Sequence, residues 1–175
     1  CTYTFTEFVD RVESGNFTKE ELARWGIANS LHVMSLAHSV IGMPKSWTSH
    51  RSGGLAWHPT GSVFVGSGIS EQDVPFSYHA DWGSTGRWSV EFHTRESSYR
   101  LCPLEQLTRR SSVTGDWEPV VVTPVDLEIK CGVLEQVAGM LSDEVRALAP
   151  LFSLEQTYAL TTYGEEIFGY QSKQS

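Results

Sequence analysis

The chain has 175 residues, 40% apolar and 19% charged, with a net charge of −8. That length fits a single domain spanning residues 1–175, large enough to bury a core without staples, and the acidic balance excludes a binder of the nucleic-acid backbone. The three cysteines, Cys1, Cys102 and Cys131, form no C-x-x-C pair, which argues against a disulfide framework or a structural zinc and for a reducing, cytoplasmic setting. No apolar run nears the ~20 residues of a membrane span, and no leader pattern stands at the front.

In chain order, residues 6–42 read as helical. "TEFVDRVESG" offers Thr6 as an N-cap and Gly15 as a stop; "TKEELARWG" offers Thr18, Glu21 and Gly26 in the same roles. A third helix then runs to Gly42, with Pro44 beyond. Residues 46–130 read as β-rich. In "RWSVEFHT", Trp88, Val90 and Phe92 alternate with polar residues, the period of a half-buried strand. "RESS" is a turn into "YRLC", and "SVFVGSG", "PFSYHADWG", "PVVVTP" and "DLEIK" are further strands. Two more helices come next, in "GVLEQVAGMLSDEVRAL" and, behind a Ser153 cap, in "SLEQTYALTTYGEEIFGY". The expected class is α+β in two layers, a large, mostly antiparallel open sheet packed on helices.

Residues 27–41, placed on a helix at ~100° per residue, are apolar almost all round, which predicts a buried helix. One narrow track differs: Ala28, His32, Ser35 and Ser39. Small side chains leave room beside the helix, and the imidazole of His32 reaches into it, as a proton acceptor or as a core histidine bonded to backbone. His38 sits among more apolar neighbours and reads as a core histidine.

Other candidates are sparser. "AWHPTGS" after Gly53-Gly54 makes a shaped loop in which Trp57 offers an apolar face and His58 and Thr60 offer hydrogen bonds. His79 and Asp81 fall on one side of an extended strand, yet no third ligand at readable spacing supports a metal. Arg87 comes after a glycine-rich turn and suits an anionic group. No G-x-S-x-G elbow supports a hydrolase, and "GSGISEQ" lacks the spacing of a dinucleotide loop.

The stretches "GNFTKEELARWGIANSLHVMSLAHSVIGMPKSW", "GGLAWHPTGSVFVGSGISEQDVPFSYHADWGSTGRWSVEF" and "YRLCPLEQL" together resemble the C-terminal domain of the Gfo/Idh/MocA oxidoreductases, in texture a branch acting on sugars. The resemblance runs through residues 5 to 170. It implies a dihydrodipicolinate reductase-like C-terminal domain supplying substrate contacts and forming a homo-oligomer through its open sheet. The resemblance further implies that NAD or NADP is held by an N-terminal Rossmann domain expected to be absent from this chain. His32 matches the family's proton-transfer histidine, while Ala28 and Ser35 stand where carboxylates are common. Asn29, Ser35, Trp57, His58, His79 and Arg87 are the expected substrate contacts, with no metal, nucleic acid or membrane partner. The alternative expectation is a non-catalytic oligomerisation or ligand-binding module.

Overall fold

The computed structural model describes residues 1–111, 115–121, 132–148 and 151–170. The chain opens on a strand, β1 (Thr2–Phe5), then forms two short helices, α1 (Val9–Glu13) and α2 (Lys19–Ala23). A π-helical turn at Gly26–Ser30 leads straight into α3 (Leu31–Ile41). Strands β2 (Pro44–Ser52), β3 (Val63–Ser70), β4 (Pro75–Asp81), β5 (Trp88–His93), β6 (Ser97–Leu101), β7 (Leu107–Ser111) and β8 (Glu118–Pro119) succeed it. Helices α4 (Val133–Leu141), α5 (Asp143–Leu148) and α6 (Leu154–Phe168) come after them.

The eight strands form one open sheet in the order β2-β3-β4-β1-β5-β6-β7-β8. Every pairing is antiparallel except β1 with β4. Helices α3 and α6 pack on one face, so the architecture is the expected two-layer α+β sheet. Strand alternation sends Tyr3 and Phe5 of β1, Phe76 and Tyr78 of β4 and Val90 of β5 into that face, where they are buried. They meet Val33, Met34 and Ala37 of α3 and Leu160, Tyr163 and Phe168 of α6. The other face carries Thr48, His50, Val65, Ser67, Ile69 and His79, all exposed.

The glycines of "GSG" have a packing reason. Gly66 and Gly68 of β3 lie directly opposite Tyr78 and Phe76 of β4. A Cβ at either glycine would drive into the facing aromatic ring. The glycines let those rings lie flat across the neighbouring strand, which thickens the core without widening the sheet.

Several local expectations meet competing physics. The capping boxes at Thr18–Glu21 and Ser153–Gln156 form, the first as expected from its spacing. Thr6 caps no helix: its Oγ1 accepts from the Asp81 amide, stitching the end of β1 to β4, and α1 begins later with Phe8 at its cap position. Residues 27–41 are not one α-helix, because the first turn widens to i→i+5 bonding and Leu31 N–H reaches back to the Gly26 carbonyl. Nor is that segment buried all round. Ala28, His32 and Ser39 face solvent, Ser35 is half-buried, and Val40 is 53% exposed. The predicted helix over 132–148 is two helices, since Ser142 turns extended and its hydroxyl accepts the Val145 amide as a new cap. "DLEIK" and the second half of "PVVVTP" lie outside the described residues, and the described part pairs with β7 through β8.

His38 is 1% exposed, boxed by the rings of Tyr3, Phe76 and Tyr163. Its Nδ1–H donates to the Gly42 carbonyl at 2.8 Å, closing the end of α3. Burial disfavours the charged ring and lowers its pKa from 6.5 to about 4, against the smaller, opposite pull of the Gly42 carbonyl. The unfolded chain therefore takes up this proton first. The associated stability is complete above pH 6.5 and erodes as pH falls toward about 4, a loss on the order of 3 kcal/mol. Chemical denaturation across pH 7 to 4 should show that loss, and His38→Gln should flatten it.

Candidate functional site

The first strand leads into the site. Beyond Phe5 the chain turns under α3, and the next residue but one, Glu7, is 6% exposed. Its carboxylate is gripped from two directions. Ser30 Oγ donates to Oε1 at 2.9 Å, and the Asn29 amide donates to both oxygens at 3.2 and 3.1 Å. Trp88 Nε1, from the start of β5, donates to Oε1 at 3.1 Å. The π-helical turn explains how two consecutive residues, Asn29 and Ser30, reach one acceptor. Its wider winding re-aims side chains that an α-helix would spread around its axis.

Burial raises the Glu7 pKa, the dominant effect; the hydrogen bonds from Ser30, Trp88 and Asn29, and the nearby Trp25 indole, pull the other way. Among the described residues no Lys, Arg or His forms an ion pair with it. The carboxylate lies against a cleft of about 550 Å³ walled by Phe8, Phe17, Trp25, Trp88 and Leu104. Arg11 and Arg87, both exposed, also line it and make no ion pair with any described residue.

The structure brings some predicted contacts together here and leaves others out. Asn29 and Arg87 line the cleft. His32 stands at the start of α3 with its ring exposed, 6.3 Å from the Trp88 ring that walls the cleft. The Ser35 hydroxyl is spent on its own helix, donating to the His32 carbonyl at 2.8 Å. Trp57 stacks on buried Trp82 with ring centres 5.8 Å apart, and its Nε1 donates to Glu13 at 2.9 Å, outside the cleft lining.

His58 corrects the sequence reading. It is 0% exposed and both ring nitrogens are engaged, Nδ1–H donating to the Gly61 carbonyl at 2.8 Å and Nε2 accepting from the Tyr170 hydroxyl at 2.6 Å. The same hydroxyl oxygen accepts from the Gly26 amide at 3.0 Å. His58 thus pins the β2–β3 loop to the end of α6 and to the start of the π-helical turn. His79 lies on the face of the sheet turned away from the helices, so it does not share the cleft, and Asp81 beside it accepts the Gly83 amide in a turn. Among the described residues no group of three His, Cys, Asp or Glu could hold a metal ion.

Glu7, Trp25 and Trp88 are the residues that sequence reasoning misses. An acid between a strand and a helix reads as a first-turn carboxylate. The signal available was the β-like alternation of Tyr3 and Phe5, which extended by one more step points Glu7 inward as well.

The chain matches no protein-family model and no curated protein. Solved structures do match. Levoglucosan dehydrogenase in complex with NADH and levoglucosan aligns at a TM-score of 0.50 and 14% identity, over 70% of this chain and 38% of that one. The fold is one that levoglucosan dehydrogenase also carries. Its complex with NADH and L-sorbose aligns equally, over 39% of its length. A Bacteroides fragilis protein aligns at 12% identity and a TM-score of 0.49, over 96% of this chain and 50% of its own. The chain thus spans half or less of the length of each of these proteins.

The hydrogen-bond chain from Gly26 through Tyr170 to His58 supports the floor of this region. Tyr170→Phe removes the donor to Nε2 and should lower stability by about 1–2 kcal/mol in urea titrations.

Proposed function

We propose that this chain is the substrate domain of an NAD(P)-dependent oxidoreductase acting on a sugar or sugar derivative. One observation carries the reading: the exposed imidazole of His32 stands beside Trp88, which walls a cleft lined by aromatic rings and by Glu7. The fold shared with levoglucosan dehydrogenase is consistent with it.

In this reading Trp25 and Trp88 offer apolar faces to a sugar ring. Glu7 Oε2, which among the described residues accepts only from Asn29, takes a polar hydrogen of the substrate, and His32 takes the proton of the hydroxyl being oxidised. The glycines of "GSG" do not form a dinucleotide loop in this reading, since they lie under the rings of β4 rather than ahead of a helix. The hydride acceptor is then held by an N-terminal Rossmann domain.

The open sheet face is where copies of the chain meet in this reading. Its short Thr and Ser side chains are nearly flat, and Val65 and Ile69 are 40% and 37% exposed upon it. A non-catalytic binding or oligomerisation module is the second reading. It is favoured by the unpartnered His32 ring: Ala28 stands one turn before it and no described side chain hydrogen-bonds the imidazole.

The gene product with any upstream region, mixed with NAD(H) or NADP(H) and a sugar panel, should change nicotinamide absorbance. His32→Asn should lower kcat by ~10²-fold or more and leave the unfolding temperature unchanged, since the ring is exposed. An unaltered kcat would remove His32 from the chemistry, and absence of cofactor binding would favour the second reading. Sedimentation of the Val65→Lys variant should show a smaller assembly than the parent; an unchanged mass would move the interface off this face.

A further inference from the structure

Glu7 holds a desolvated negative charge with neutral donors only. Three of them converge on Oε1, from Ser30, Asn29 and Trp88, whereas Oε2 accepts from Asn29 alone. A carboxylate oxygen accepts at least two hydrogen bonds, so Oε2 has capacity left. Buried carboxylates are ordinarily paired with a cation or neutralised. Among the described residues no cation pairs with this one, and its affinity for protons is raised by burial.

The surroundings favour a cation over another neutral donor. The side chains of Phe8, Phe17, Trp25 and Trp88 line the cleft, and aromatic faces attract ammonium groups. The Trp25 indole N–H is buried and acts on the Glu7 carboxylate, so it is the ring rather than the N–H that Trp25 offers a ligand. A hydroxyl would fill the free position on Oε2 without balancing its charge. The same cleft is lined by the exposed guanidinium groups of Arg11 and Arg87, neither of them paired with a described residue. They would repel a ligand that was only cationic and attract one that also carried an anion.

We propose that the cleft takes a ligand bearing a protonated amine, seated on Glu7 beside Trp25 and Trp88, with an anionic substituent turned toward Arg11 and Arg87. This rests on reading the cleft as the substrate's place, and in sugar terms it names an amino sugar carrying an acidic group. It is tested by binding alone, so its failure is distinct from a failure to turn over.

Calorimetric titration of the full-length gene product at pH 7 with glucose, glucosamine, glucose 6-phosphate and glucosamine 6-phosphate separates the two charges. The amine should tighten binding by roughly 10-fold in both pairs, as a charge-assisted bond does, and Glu7→Gln should abolish that difference. The phosphate should tighten binding in both pairs, and Arg87→Gln should reduce that gain while leaving the amine's intact. Equal binding of glucosamine and glucose, no binding by any amine probe, or an amine preference that survives Glu7→Gln would overturn the proposal. Should Glu7→Gln not fold, N-acetylglucosamine, which keeps the nitrogen but loses its charge, decides on the parent protein. Its binding should fall to that of glucose, and binding equal to glucosamine would overturn the proposal.

Discussion

The carboxylate of Glu7 is where three separately formed parts of the molecule are made to agree. The end of β1 delivers it, the π-helical turn before α3 supplies Asn29 and Ser30, and the start of β5 supplies Trp88. These donors are all neutral, so among the described residues the carboxyl group is held by dipoles alone in a desolvated place. Such an arrangement is costly if any donor is lost and forces each backbone segment into one position. The winding of Gly26–Ser30 is then best understood as the geometry that two adjacent side chains need to serve one acceptor.

That arrangement also decides where chemistry is available. His32 comes directly after the turn, and its ring stands out from the protein toward the Trp88 side. The neighbouring histidines have been drawn into structural service. His38 closes α3 on the Gly42 carbonyl, and His58 spends both nitrogens bracing the loop after β2. Of the six histidines only some keep a ring free for solvent or ligand, and His32 is the one adjacent to the cleft.

The general architecture was legible because it depends on periodicity. Alternation marked β5, strand-like composition bounded by turns marked the "YRLC" strand, β3 and β4, the Thr18–Glu21 spacing marked α2, and the Ser153 cap marked α6. What periodicity carried poorly was context. The segment around His32 looked buried because its composition is apolar, yet Val40 and the Ala28–Ser39 side are turned outward, where no described element covers them. Thr6 looked like a cap because Thr is a good cap, but a backbone amide across the sheet claimed its oxygen first. His58 looked like a contact because it sits in a glycine-rich loop, and only tertiary proximity to Tyr170 reveals it as a brace. The site was partly legible: Asn29 and Arg87 do line the cleft, whereas Glu7 showed only through the alternation of Tyr3 and Phe5 before it, since burial of a lone acid is set by partners some 20 to 80 residues away in sequence.

The position of β1 has a consequence for how the sheet is assembled. Strands β2, β3 and β4 pair with their sequence neighbours, and so do β5, β6 and β7. These are two meanders that local contacts suffice to build, yet β4 and β5 never touch edge to edge, because β1 lies between them. Thr2 must find both Ser77 and Glu91 for the halves to become one surface. The first strand therefore acts as a wedge closing an arch. Until it is seated, each meander presents a bare edge, and seating it requires pairings between residues far apart in sequence.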